Sequence, residues 1–248
     1  MTMSFDEDGF AVLPALLTDA ELAGIGAAMT RHRGVGARDL LEESWCVDLA
    51  LRLLADTCLA SAIPHGHVPV QCTSFEKSLE RNWLVAMHQD VAIPVATRID
   101  HPGLRGWSNK GGTWFVQPPV CVLEQLVAVR LHIDDCGIDD GPLTVVAGSH
   151  RAGRLDDAQA IALRDARGTI ACPVPRGGAM LMRPLLLHAS SKATGQSRRR
   201  VLHFLFGPPT LPCGLRWPAT SPPSPAATGA VSDRAASTPA PRRTPSAS

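Results

Sequence analysis

The stretch Asn82-Trp-Leu-Val-Ala-Met-His-Gln-Asp90 decides how this chain folds, because it carries a His-x-Asp motif at the end of an apolar, strand-like run. Side chains of a strand alternate between its faces, so His88 and Asp90 point the same way and can bind one metal ion together. His188 follows 100 residues later. Two histidines and one carboxylate form the facial triad that holds non-haem Fe(II) and leaves positions open for oxygen chemistry. The pattern therefore predicts an iron site.

Each of these residues has a simpler interpretation when it is taken alone. His88 and Asp90 would lie in solvent if the strand ended before them. His188 follows the apolar run Leu185-Leu-Leu187 and would then be a hydrogen-bonded core histidine. A buried carboxylate on an apolar strand is costly unless it is paired or metal-bound. The combination of all three favours the metal site.

The run Arg198-Arg199-Arg200 supplies a candidate receptor for a carboxylate. If a hairpin turns after Ser190, Arg199 returns beside His188, and its planar guanidinium can grip a carboxylate bidentately near the metal. Arg198 and Arg200 should face the opposite way. The alternative interpretation of the run is an exposed basic turn.

The remaining histidines are weaker candidates. His150 follows a tight turn, which makes it a minor rival ligand. His65 and His67 flank Gly66 with no carboxylate nearby, so we expect loop residues. His132 shares a strand face with Arg130, and we expect that face to form part of a substrate wall.

Composition excludes several classes of protein. The 248 residues carry 24 basic and 23 acidic side chains, which gives no support for a nucleic-acid or membrane-surface partner. No apolar run approaches the ~20 residues of a membrane span, and the opening residues lack the basic and apolar regions of a secretory signal. The seven scattered cysteines contain no CxxC pair and indicate reduced thiols. We expect a cytoplasmic protein, monomeric or weakly dimeric, that acts on a small molecule.

The chain is predicted to be one domain, residues 1–217, followed by a tail. Residues 1–62 should be mainly helical, with a capping box at Thr18 and Glu21 that starts a helix at Asp19. That helix should run to about His32 and stop at Gly34. A second helix is predicted from the spacing of Val47, Leu51, Leu54 and Cys58. Residues 218–248 are almost entirely Pro, Ala, Ser, Thr and Arg, which predicts disorder.

Short strands follow, in a core predicted at about residues 68–207. In the segment 127–134, apolar side chains alternate with Ala128, Arg130, His132 and Asp134, as in a strand with one apolar face. The segment 92–119 is rich in Gly, Pro and Trp, and we expect a long loop over one mouth of the fold. Many short strands separated by turns favour a sandwich or barrel. The other predicted strands span residues 68–75, 84–91, 143–147, 169–174, 179–182, 185–189 and 200–206.

Taken together, these segments resemble the phytanoyl-CoA dioxygenase family of Fe(II)/2-oxoglutarate oxygenases. The resemblance runs from about residue 5 to residue 217. The chain departs from the family pattern at Met87, where close relatives usually carry Trp, and at Leu205, where an acidic residue is common. The matching segments are Asp8-Gly-Phe-Ala-Val-Leu-Pro14, Phe75-Glu-Lys-Ser78, Asn82–Asp90, Gln117-Pro-Pro119, Arg130-Leu-His-Ile-Asp-Asp135, Gly141-Pro-Leu-Thr-Val-Val-Ala-Gly-Ser-His150, Arg183-Pro-Leu-Leu-Leu-His-Ala-Ser190 and Arg199-Arg-Val-Leu-His-Phe204.

The resemblance implies a mainly β fold with flanking helices, a double-stranded β-helix of the jelly-roll, cupin-like type. It implies Fe(II) bound by the two histidines and the aspartate, and 2-oxoglutarate that chelates the iron with its far carboxylate on Arg199. Lys77, Gln89 and Ser190 match positions that touch the co-substrate, and Arg130 matches a co-substrate or substrate contact.

The implied activity is that of a 2-oxoglutarate-dependent dioxygenase that uses O2 to hydroxylate a small organic molecule and releases succinate and CO2. Asp90 favours hydroxylation, since related halogenases replace this carboxylate to open a halide position. A non-catalytic cupin-like protein that binds a metal or small ligand is the alternative. A lyase or isomerase without 2-oxoglutarate is a third possibility, which Arg199 and Lys77 argue against.

Overall fold

The computed structural model describes residues 4–31, 37–195 and 198–219. Its helices are α1 (Phe5–Asp8), α2 (Asp19–Arg31), α3 (Ser44–Leu54), α4 (Val120–Leu123) and α5 (Asp157–Arg167), with short 3-10 turns at Leu40–Glu42, Ile138–Asp140 and Ser149–Ala152. Its strands are β1 (Phe10–Leu13), β2 (Val68–Lys77), β3 (Val85–His88), β4 (Ile93–Val95), β5 (Arg105–Lys110), β6 (Thr113–Gln117), β7 (Val127–His132), β8 (Leu143–Val145), β9 (Ile170–Cys172), β10 (Ala179–Met182), β11 (His188–Ser190) and β12 (Arg199–Gly207).

Two antiparallel sheets form the centre of the molecule. The larger has the order β1-β10-β7-β12-β2, and the smaller has the order β3-β11-β8-β9. The chain crosses repeatedly between them from β7 to β12, so that strands distant in sequence become neighbours in each sheet. Packed antiparallel sheets with this alternation are the jelly-roll arrangement. The predicted double-stranded β-helix is confirmed.

The larger sheet buries a different set of side chains on each face. Its outer face, with Val129, Leu131 and Phe204, packs against α2 and α3. Its inner face, with Ala128 and Met180, packs towards the smaller sheet. The central strands β7, β10 and β12 are therefore covered on both sides, and polar side chains on their inner face lie in the interior.

The predicted N-terminal helices are present with altered details. The Thr18 amide donates to the Glu21 carboxylate at 2.7 Å, which confirms the capping box where α2 begins. The predicted end at His32 to Gly34 lies outside the described residues. In α3 the predicted face is wrong, because Leu51 is 40% exposed and Cys58 lies beyond the helix. Its buried residues are Cys46, Val47, Leu49, Ala50 and Leu53.

The segment 92–119 is not the long loop that its composition suggested. It forms a separate three-stranded sheet with the order β4-β6-β5. Lys110 pairs with Thr113 across Gly111 and Gly112, which both have positive φ. Consecutive positive φ values are what a tight hairpin turn requires, and glycine adopts them without strain. The predicted tail at 218–248 lies outside the described residues from residue 220 onward.

Two strand predictions near the C-terminus are also corrected. The strand expected at 185–189 is instead His188–Ser190, because Leu185 to Leu187 form an irregular turn against the core. The hairpin considered as a way to bring Arg199 beside His188 is not found among the described strands. β11 pairs with β3 and β8, whereas β12 pairs with β2 and β7, so the connection crosses from one sheet to the other.

Candidate metal centre

The structure brings the three predicted ligand residues together at the edge of the smaller sheet. His88 at the end of β3 is the direct register partner of His188 at the start of β11, and their ring centroids are 4.2 Å apart. Asp90 follows on the same face, with carboxylate oxygens 3.6 Å from His88 Nε2 and 3.8 Å from His188 Nε2. The three candidate ligand atoms lie within 4.8 Å of one another. This spacing fits a single metal ion.

Backbone hydrogen bonds orient both imidazoles. His88 Nδ1 lies 2.8 Å from the Ala86 carbonyl, and His188 Nδ1 lies 2.9 Å from the Leu186 carbonyl. A carbonyl only accepts, so each Nδ1 carries a proton, and each ring in its neutral form presents the Nε2 lone pair to the site. Such outer bonds fix the tautomer of metal-binding histidines. The residues therefore fit a metal that takes two nitrogens and one carboxylate oxygen.

The charge states also suit a metal. Burial raises the pKa of Asp90, but the two neighbouring histidines outweigh it and hold this pKa well below its usual range. Burial lowers the pKa of His188 to about 4. Burial lowers the pKa of His88, but the interaction with Asp90 outweighs burial and raises this pKa overall. Asp90 is thus an anion and His188 a neutral donor at physiological pH.

A cavity of about 360 Å³ opens from this centre between the two main sheets. Its inner wall comes from β2, β7 and β12. The three-stranded sheet β4-β6-β5 contributes Ile93, Lys110 and Phe115. The segment predicted as a loop over the mouth therefore does line the cavity, although as a folded sheet. A space of this size suits a small organic ligand.

A cationic cluster lines the same cavity as the three candidate ligand residues. Arg199 and Lys77 are register partners on β12 and β2, and their side chains are 4% and 1% exposed. Lys77 Nζ donates to Ser190 Oγ at 2.7 Å and to the Ser191 carbonyl at 2.6 Å. Arg199 donates to the Gly141 carbonyl, and its Nε has no partner among the described residues.

These two buried cations have no carboxylate ion-paired to them among the described residues. Burial, and then the charge of Arg199, lower the pKa of Lys77 to about 8. Buried charges are normally paired. The cluster therefore fits an anionic ligand such as the far carboxylate of a 2-oxoacid whose other end lies at the metal.

Gly141 connects the elements of this cluster and was not singled out from the sequence. Its carbonyl also accepts from Ser190 Oγ at 2.8 Å, and its φ is +64°. A Cβ at this position would lie 2.5 Å from the Ser191 carbonyl oxygen, which is a Lys77 acceptor. Only glycine satisfies both the backbone conformation and the close approach.

Gln89 and Arg130 have more varied surroundings. The Gln89 amide donates to the Gly153 and Leu185 carbonyls at 2.8 and 2.6 Å, and accepts from the Leu155 amide at 2.9 Å. Gln89 therefore links the backbone at Gly153 and Leu155 to the backbone at Leu185, three residues before His188. Arg130 lines the cavity and donates to His203 Nδ1 at 3.0 Å.

The other candidates lie away from the centre. His150 Nε2 contacts the Asp6 carbonyl at 3.2 Å, His65 is exposed, and His67 contacts the Gln125 carbonyl at 2.8 Å. His132 is buried but is not among the cavity-lining residues, so its expected place in the substrate wall is not observed. Arg198 pairs with Glu76 and Arg200 with Asp134, both away from the cavity as predicted.

Sequence reasoning missed His203 and Thr73, which are register partners on the cavity face of β12 and β2. Both could have been found by period-2 counting from residues already identified, since His203 lies four positions after Arg199 and Thr73 four before Lys77.

Comparison with known proteins identifies the family. The model of the phytanoyl-CoA dioxygenase (PhyH) family matches residues 5–201. The chain belongs to this family. Membership makes it an oxidoreductase of the Fe(II)- and 2-oxoglutarate-dependent class. A sequence comparison with curated proteins finds no match.

Solved structures agree on the fold. The chain is similar to the non-heme alpha ketoglutarate dependent carbocyclase SnoK from nogalamycin biosynthesis, with TM-score 0.59, 15% identity and coverage of 82% of this chain and 81% of that chain. It is also similar to AviO1 from Streptomyces viridochromogenes Tue57, with TM-score 0.58, 21% identity and coverage of 84% and 93%. A third is HygX from Streptomyces hygroscopicus with nickel, 2-oxoglutarate and hygromycin B bound, with TM-score 0.56, 18% identity and coverage of 89% and 94%.

No helix within the described residues is both long and apolar enough to span a membrane.

Proposed function

We propose that this protein hydroxylates a small organic molecule, with O2 and 2-oxoglutarate consumed and succinate and CO2 released. One oxygen atom enters the substrate C–H bond, and the other enters succinate as 2-oxoglutarate loses its carboxyl group. The proposal is carried by one observation. Two histidines and one aspartate line the same cavity as two buried cations that have no carboxylate partner among the described residues.

His88, Asp90 and His188 would hold the Fe(II). When bound, iron and 2-oxoglutarate supply the activation of O2, and the protein supplies ligation, orientation and exclusion of water. The Asp90 carboxylate would itself be the third protein ligand, and its presence supports hydroxylation as the outcome.

Arg199 and Lys77 would bind the far carboxylate of 2-oxoglutarate. The guanidinium offers a planar pair of donors, and Lys77 adds a point charge that Ser190 and the Ser191 carbonyl hold in place. Gln89 acts from behind, by fixing the backbone at Leu185 and Leu155.

The domain bounds of 1–217, a monomeric or weakly dimeric state and a cytoplasmic location belong to the same proposal. Its partners are then small molecules, with no nucleic acid or membrane. The small cavity supports a small-molecule substrate, and the seven free cysteines suit a reducing compartment.

The test is succinate formation by purified protein loaded with Fe(II), with His88→Ala and Asp90→Ala as variants. Both should abolish iron binding and succinate formation while the circular dichroism spectrum stays unchanged. His65→Ala is the matched control, because this histidine is exposed and distant from the triad. If the protein binds iron and 2-oxoglutarate tightly but forms no succinate with any substrate tested, the result would favour the non-catalytic binding protein instead.

A further inference from the structure

The cavity contains a second group of donors, separate from the Lys77 and Arg199 pair. Arg130 on β7 is 7% exposed, and its guanidinium stacks 5.4 Å from the Phe75 ring centroid. One of its nitrogens donates to His203 Nδ1 at 3.0 Å, and its Nε has no partner among the described residues. This interior cation is thus only partly satisfied.

The hydrogen bond from Arg130 fixes what His203 presents to the cavity. Arginine only donates, so His203 Nδ1 must accept, and the proton of the neutral ring sits on Nε2. No acceptor contacts that Nε2–H among the described residues. His203 therefore turns a second donor towards the ligand space.

Thr73 adds a third donor. It is the register partner of His203, is 3% exposed, and its Oγ1 accepts from Gln71 Nε2 at 3.0 Å. With that lone pair occupied, the hydroxyl hydrogen remains for an acceptor, and none contacts it in the described part of the chain. Thr73, His203 and Arg130 are register partners on the neighbouring strands β2, β12 and β7, so their donors lie on one part of the cavity wall and suit an oxyanion.

This group is displaced from the co-substrate cluster. His203 and Thr73 lie four residues from Arg199 and Lys77 along their strands, roughly 13 Å at ~3.3 Å per residue. The 2-oxoglutarate carboxylate on Arg199 is therefore too far along the strands to pair with His203 or Thr73, although the guanidinium of Arg130 lies close enough to feel the charge of Arg199. The surrounding lining is apolar and includes Phe115, Leu126 and Leu205.

We propose that Arg130, His203 and Thr73 form the anion-binding subsite for the substrate, and that the substrate is a small carboxylate with an apolar body. This inference rests on the proposed function. It assigns Arg130 to the substrate, whereas the family resemblance allowed either a substrate or a co-substrate contact.

The experiment uses protein loaded with Fe(II) and 2-oxoglutarate without oxygen. Acetate, butyrate, octanoate and phenylacetate are titrated beside octanamide and phenylacetamide, and binding is followed by the change in iron absorption and by melting temperature. Octanoate and phenylacetate should bind at least tenfold more tightly than their amides, because the amides lack the charge.

Arg130→Met and Thr73→Val should each weaken the two acids about tenfold or more, since each removes a bond to a charged acceptor. Both should leave the dissociation constant of 2-oxoglutarate within about twofold of wild type. Thr73→Val is nearly isosteric and keeps the test valid if Arg130→Met fails to fold. Arg198→Met is the matched control, because Arg198 is exposed and paired with Glu76.

Three results would overturn the proposal. The first is equal binding of the acids and their amides to the wild-type protein. The second is equal binding of the acids to wild type and to Thr73→Val. The third is a loss of 2-oxoglutarate affinity in Arg130→Met as large as the loss expected for Arg199→Ala. A wild-type protein that binds no 2-oxoglutarate would instead refute the proposed function, so the two failures are distinguishable.

Discussion

Replacement of Arg199 by alanine should weaken 2-oxoglutarate binding by roughly 10- to 150-fold. The guanidinium is 4% exposed and has no carboxylate partner among the described residues, so a bound carboxylate receives charge-assisted bonds in a water-poor site. Bonds of this kind contribute on the order of 1.5–3 kcal/mol, at ~1.4 kcal/mol for each factor of ten. Lys77 keeps its own contacts with Ser190 and Ser191, which is why some affinity should remain.

The assay is an oxygen-free titration of 2-oxoglutarate into iron-loaded protein, followed by the charge-transfer absorption of the iron complex. Iron binding should survive in Arg199→Ala, because this residue is not a ligand. Arg199→Lys should recover only part of the loss, since a point charge cannot reproduce the planar fork. Arg198→Ala is the control and should bind like wild type. If Arg199→Ala also binds like wild type, the assigned carboxylate site is wrong.

Three further predictions concern the same pocket and the chain around it. Affinity for 2-oxoglutarate should begin to fall above a pH of about 8. Lys77 has a pKa lowered to about 8, and above this pH it loses the charge that attracts the ligand. Lys77→Met should bind 2-oxoglutarate weakly, with little dependence on pH in that range. Gly141→Ala should lower the melting temperature and weaken 2-oxoglutarate, since a positive φ costs a non-glycine residue roughly 1–2 kcal/mol and the new methyl group meets the Ser191 carbonyl; a variant that matches wild type in both would contradict this. Deletion of residues 218–248 should leave melting temperature and succinate formation nearly unchanged, because their composition lacks the apolar side chains of a core.

The grouping of the candidate ligands His88 and Asp90 could be predicted from sequence because the two residues are close along the chain. The predicted strand 84–91 is observed only as Val85–His88, and Asp90 lies two residues beyond its end, yet its carboxylate still reaches both histidines. The same holds for the capping box at Thr18 and Glu21, which depends on a spacing of three residues within one turn. Local patterns of this kind remain readable without knowledge of strand partners.

Strand partners themselves could not be read from periodicity. A hairpin after Ser190 would place Arg199 beside His188, yet Arg199 lies on the other sheet with Lys77 as its register partner. Both arrangements contain the same alternation, and only the packing of the two sheets decides between them. The three-stranded sheet β4-β6-β5 could not be predicted for a different reason. Its strand β5 has no apolar alternation, so the signal lay in Gly111 and Gly112 alone.

The inner face of the larger sheet explains why occupancy and stability should be coupled. Strand β12 buries Phe204 on its outer face, yet Arg199 and His203 lie inside, where unpaired polar groups are unfavourable. A ligand that pairs with them binds the folded state alone and stabilises it by RT ln(1 + [L]/Kd), about 2.7 kcal/mol at 100 times Kd. Urea unfolding of the iron-loaded protein should show this gain on addition of 2-oxoglutarate. At the same ligand concentration Arg199→Ala should show a much smaller gain. An equal gain in both proteins would mean that the buried cation is satisfied by the fold itself, and that 2-oxoglutarate binds elsewhere.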